Sequence, residues 1–154
     1  MDSWRDGASQ AVQDEIDNVF GAVMPFAVQS LEKYGEMYPF AVHVDATGDF
    51  HPIDGDPGVG NHPTSEQVLD RLYEVAPVEA IDSEAVAFVA DVSVELGDAI
   101  RVEIEHREGP TVTVIVPYTR DDVTGDVDVH MHELAAYPGL HRVWGPAGDL
   151  DDQP

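Results

Sequence analysis

The chain contains no cysteine, which excludes disulfide staples, thiolate zinc sites, iron–sulfur centres and cysteine nucleophiles. It is almost as poor in positive charge. One Lys and six Arg stand against 31 Asp and Glu, for a formal net charge of -24. Phosphate backbones and anionic lipid surfaces are met by clustered Lys and Arg, so direct binding to nucleic acid or to a membrane surface is disfavoured. No apolar run approaches the roughly 20 residues that a membrane span needs. The stretch Met1–Asp6 is polar and acidic, unlike the basic start of a secretory signal. The expectation is a soluble, cytoplasmic protein.

What is present is an ordinary core. Hydrophobic residues make up 43% of 154 positions, which suits one globular domain and argues against a disordered acidic tail. The acids are also spread out: nine against two bases in residues 1–50, eleven against one in 51–100, and eleven against four in 101–154. Such a bias resembles that of proteins from salt-adapted organisms, whose surface carboxylates repel one another unless salt screens them. The melting temperature should therefore climb steeply between low ionic strength and molar salt. A flat melting temperature over that range would sink the idea.

Two helices are legible. Val12, Ile16, Val19, Phe20, Val23, Ala27 and Leu31 recur at three- and four-residue steps, predicting a helix from Ser9 to Tyr34. Pro25 inside it predicts a kink or a junction of two segments, and Gly35 a left-handed cap. Thr64 and Gln67 form a capping-box pattern that opens a second helix, with Val68, Leu69, Leu72 and Tyr73 inward and Pro77 at its end.

The strands alternate. Phe40–Val44 and Phe50–Ile53 flank the turn Asp45–Asp49, and a meander follows. In the meander Ile100, Val102 and Ile104 alternate with Arg101, Glu103, Glu105 and Arg107, and Val112, Val114 and Val116 line a third strand. The charged positions predict a face open to water. The apolar run Ala85–Ala90 predicts a central strand, or a second face covered by another subunit, hence a homodimer. Val127–Leu134 reads as a further short strand and His141–Trp144 as an edge segment. The order α-β-β-α-β-β-β predicts a two-layer α+β domain over residues 1–148: an antiparallel sheet of about five strands covered on one face by two helices. Residues 149–154 read as an acidic, frayed tail.

Four runs carry a resemblance: Tyr34-Gly35-Glu36-Met37-Tyr38-Pro39-Phe40, His62–Leu69, Ile100–Arg107 and Val116-Pro117-Tyr118. They resemble the corresponding runs in a family of small uncharacterised bacterial proteins, over most of residues 10–120. The resemblance implies no activity and no catalytic residue.

Candidate sites are few. His130-Met131-His132 would put two imidazoles on one side of a strand, a partial zinc or copper site that lacks its third ligand. Asp54-Gly55-Asp56 begins like a calcium loop, but the fifth, sixth and twelfth positions are Gly58, Val59 and Ser65, which breaks the pattern. None of the serines sits in a Gly-x-Ser-x-Gly elbow. Tyr34, Glu36 and Tyr38 line the most distinctive run and would form a binding surface. The resulting expectation is a protein-binding or regulatory module with neither a catalytic site nor a cofactor. Two alternatives stand beside it: a metal- or small-molecule-binding protein, even an enzyme, centred on His130 and His132, and a DNA-mimicking or immunity-type inhibitor of a basic partner.

Overall fold

In the computed structural model, residues 4–95 and 97–145 are described, so the expected acidic tail lies outside them. The apolar stripe of the first helix becomes α1 (Gln10–Tyr34), capped at one end by the Ser9 side chain. At the other end Gly35, at φ 77°, returns its N–H to Leu31. Pro25 does not break α1. Its ring faces solvent, and the carbonyl that loses its partner belongs to exposed Gly21, where water can serve it. Helix α2 (Ser65–Glu79) opens with both halves of the predicted capping box and runs through Pro77. Proline so close to the end removes one intrahelical bond, while the Ala80 N–H still closes on Ala76.

Among the described residues, seven antiparallel strands replace the expected five: β1 (Phe40–Val44), β2 (Phe50–Ile53), β3 (Ala85–Val94), β4 (Gly97–His106), β5 (Thr111–Arg120), β6 (Val127–Val129) and β7 (Ala135–Tyr137). Their order is β2-β1-β3-β4-β5-β6, with β7 on a second stretch of β5. The strand expected over Val127–Leu134 stops at Val129 and is followed by a 3-10 turn, Met131–Glu133.

The helices do not share a face. Ala85, Ala87, Val89, Ile100, Val102 and Ile104 pack with α1, whereas Val86, Phe88, Ala41 and Ile53 pack with Val68, Leu72 and Ala76 of α2. Helices therefore cover both faces of the sheet, which corrects the one-sided arrangement. The run Ala85–Ala90 is apolar at both parities because β3 is central and has a helix above and below it.

Glu103 and Glu105, expected to face water, are buried. Glu105 accepts four consecutive backbone N–H groups, from Arg142, Val143, Trp144 and Gly145, at 2.7–3.2 Å. Glu103 accepts from the Tyr73 hydroxyl and from Arg142 Nη2 at 2.9 Å. The Arg142 guanidinium lies 3.5 Å from the centre of the Tyr73 ring. Burial, followed by the bond to Glu103, raises the Tyr73 hydroxyl well above the usual tyrosine range, so it stays a donor. The segment His141–Gly145 is not an edge strand. It is an irregular strap that lays Trp144 into the core beside α2, with the indole N–H on the Ile81 carbonyl.

Candidate functional site

The run Tyr34–Phe40 is built by its ends. Arg120, at the end of β5, donates to the Gly35 carbonyl at 2.7 Å, and a Cβ on Gly35 would meet that guanidinium at 3.0 Å. Glycine is favoured here by the left-handed φ, and a side chain would also crowd the Arg120 guanidinium. Beyond Gly35, Met37 and Pro39 are buried while Glu36 and Tyr38 are exposed, as is Tyr34 at the end of α1.

Glu36 and Tyr38 then meet Pro63, Ser65 and Asp91 around a pocket of about 320 Å³. Tyr34 is not part of this lining. It stands 67% exposed, with Lys33 Nζ at 5.1 Å from its ring centre. Of the three residues expected from the sequence, two are therefore brought together. The residue that sequence reading missed is Asp91. It is the only charged residue of β3, and that lone acid among apolar neighbours was the available signal.

Asp91 is not an ordinary surface acid. Partial burial raises its pKa; the bond from Tyr118 Oη, 2.7 Å from Asp91 Oδ1, opposes that shift, and Asp98 adds to it. Tyr118 is itself buried and shifted upward by burial first and by Asp91 second. The pocket thus holds two carboxyl groups and one half-exposed aromatic ring, and no Lys or Arg among the described residues lines it. Such a lining favours a cationic guest on two counts, charge pairing and the aromatic face.

The chain matches no family model, no curated protein and no solved structure. The chemistry of the site therefore rests on its residues alone.

His130 precedes the 3-10 turn after β6 and His132 lies within it, so neither is on a strand. Their ring centres are 6.2 Å apart and tilted by 57°. His130 Nε2 meets Thr119 Oγ1 at 3.1 Å, and its Nδ1 lies 3.5 Å from Glu133. Among the described residues, no third donor joins this pair. The donors that do converge are Glu15, Glu84 and His106.

Among the described residues, one serine–histidine contact exists: Ser83 Oγ and His43 Nδ1 are 2.6 Å apart. Ser83 is buried, so a substrate carbonyl reaches its oxygen only if the turn after α2 opens. Burial also pushes His43 down, and the neutral ring serves to tie that turn to β1. No helix among the described residues is long and apolar enough to cross a membrane.

Proposed function

We propose that this chain is a non-catalytic protein-binding module whose partner presents basic side chains to the surface formed by Glu36, Tyr38 and Asp91. The observation that carries the reading is the pocket between the Tyr34–Phe40 run and the start of α2, where two carboxyl groups flank an exposed tyrosine. An arginine or lysine side chain entering it gains an ion pair with Glu36 and a cation–π contact with Tyr38. It also relieves the cost of holding the Asp91 carboxylate partly away from water. The overall charge of -24 supports the same partner class, because it accelerates encounter with basic proteins.

The test is a titration of the full chain with an arginine-rich peptide at near-physiological salt. Tyr38→Ala and Glu36→Gln should each weaken binding by about tenfold, in line with the loss of an anchor contact. Neutralising Asp121 and Asp122, exposed acids on the loop after β5, should leave the affinity unchanged. Equal losses at both places would overturn the reading. They would point instead to a partner that responds to the field of the whole surface, as the target of a DNA-mimicking inhibitor does.

A further inference from the structure

Glu15, Glu84 and His106 are brought together from three separate elements, and each offers one ligand atom within 4.8 Å of the others. His106 ends β4 and is completely buried. Its partner in the ladder is Ala85, the residue after Glu84. The backbone of Glu84 is held on both sides, its N–H donating to Val44 O at 2.7 Å and its carbonyl accepting from Arg107 at 3.0 Å. Glu15 projects from α1 one position before Ile16, which anchors that turn in the core. All three backbones are therefore fixed, and the donors do not have to be gathered when a ligand arrives.

We infer that Glu15, Glu84 and His106 form a binding site for a zinc-class divalent cation. One imidazole nitrogen and two carboxylates make a nitrogen–oxygen donor set. That set favours zinc and its transition-metal neighbours over magnesium or calcium, which take oxygen alone. Three protein ligands leave a coordination position free. A pocket of about 230 Å³, lined by Glu15, Glu84, Asn18, Asp45 and Thr47, adjoins the cluster and has room for the remaining ligands as water.

The hydrogen bonds of His106 show what binding must change. Its Nδ1 accepts from the Glu108 N–H at 3.1 Å, so the ring proton is on Nε2 and is donated to Glu15 at 2.5 Å. A cation needs the Nε2 lone pair. The ring proton must then sit on Nδ1, where it faces the Glu108 N–H instead of accepting from it. The bond to Glu108 breaks, and the turn between β4 and β5 has to rotate. Gly109, at φ 118°, lies in that turn. Arg107, whose guanidinium is 3.9 Å from Glu84, gives way to the cation. The cost of this rearrangement limits the affinity, and it also supplies a signature that adventitious surface binding lacks.

The experiment uses the full chain without a histidine tag, in about 0.5 M KCl with excess magnesium, so that diffuse binding to the acidic surface is screened. Zinc is titrated by calorimetry and by amide NMR. The expected result is one zinc per chain, with the Glu108 amide among the most shifted resonances. Glu15→Gln and Glu84→Gln should each raise the dissociation constant at least tenfold. Both residues are partly exposed, so neither change threatens the fold, and Glu74→Gln, at an exposed position of α2 that takes no part in the cluster, should bind as wild type. Three outcomes would overturn the site: no saturable zinc binding, equal affinity in all four proteins, or zinc binding that leaves the Glu108 amide unmoved. Loss of zinc binding would leave the basic-peptide interaction intact, because the two sites share no residue.

Discussion

Replacing Glu105 with alanine should destabilise the protein by about 3–5 kcal/mol and free the strap His141–Gly145 from the sheet. The carboxylate is 2% exposed and carries four backbone N–H groups, two on each oxygen. Four aligned amide dipoles are what make a charge tolerable there. Alanine leaves all four donors without an acceptor in a buried place, each costing about 1–3 kcal/mol if the strap stayed where it is. The strap therefore leaves, taking Trp144 out of the core, and the loss is set by that escape. Glutamine keeps the shape but offers one acceptor oxygen in place of two, so it should recover only part of the stability. Urea midpoints measure the loss, and hydrogen exchange at the amides of residues 142–145 locates it. Unchanged protection at those amides would show that Glu105 does not hold the strap.

Phe88→Ala should cost about 3–5 kcal/mol by the usual price of a large-to-small change in a core. Phe88 is 2% exposed on the α2 side of β3, and its ring meets the edge of Tyr73 at 4.9 Å. Its ladder neighbour Ala41 is too small to fill the space, and the hydroxyl of Tyr73 is tied to Glu103, which limits how far that ring can move into it. The effect reports on the second core. If α2 and the strap covered that face only loosely, alanine would cost under about 1 kcal/mol, as at a surface position. Combined with Glu105→Ala the loss should be less than additive. Trp144 and Phe88 belong to one cluster, and a strap already released has no contact left to lose.

Two misreadings in the sequence trace to the same residues. Glu103 and Glu105 alternate with Ile100, Val102 and Ile104, and in a single strand that pattern denotes one wet face. It made the sheet look half solvated, which in turn placed both helices on the other side. What the alternation does not contain is the partner of each carboxylate. Arg142 lies 39 residues beyond Glu103, and the four amides that receive Glu105 lie 37–40 residues beyond it. A buried acid is legible only with its donors, and these come from a strap with no periodicity of its own.

The binding surface was half legible. Tyr34, Glu36 and Tyr38 stand out as an aromatic and acidic run, but Asp91 joins the pocket from β3, where a lone acid among apolar residues marks it as unusual without saying what it meets. His130 and His132 failed as a strand pair because β6 ends at Val129, and a 3-10 turn does not keep the two-residue repeat.

The sequence by itself determined α1 with its Gly35 cap, α2 with its Thr64–Gln67 capping box, the turn at Asp45–Asp49, and the need of the run Ala85–Ala90 for a cover on both faces. These features depend on interactions within four residues, or on an apolar run long enough to need two covers. Tertiary structure alone decided which face each helix takes, the burial of Glu103 and Glu105, and the meeting of Glu36 with Asp91. It also decided the convergence of Glu15 with His106, 91 residues apart. The reason is that a titratable side chain takes its environment from whatever the fold lays against it, and its neighbours in sequence do not specify that.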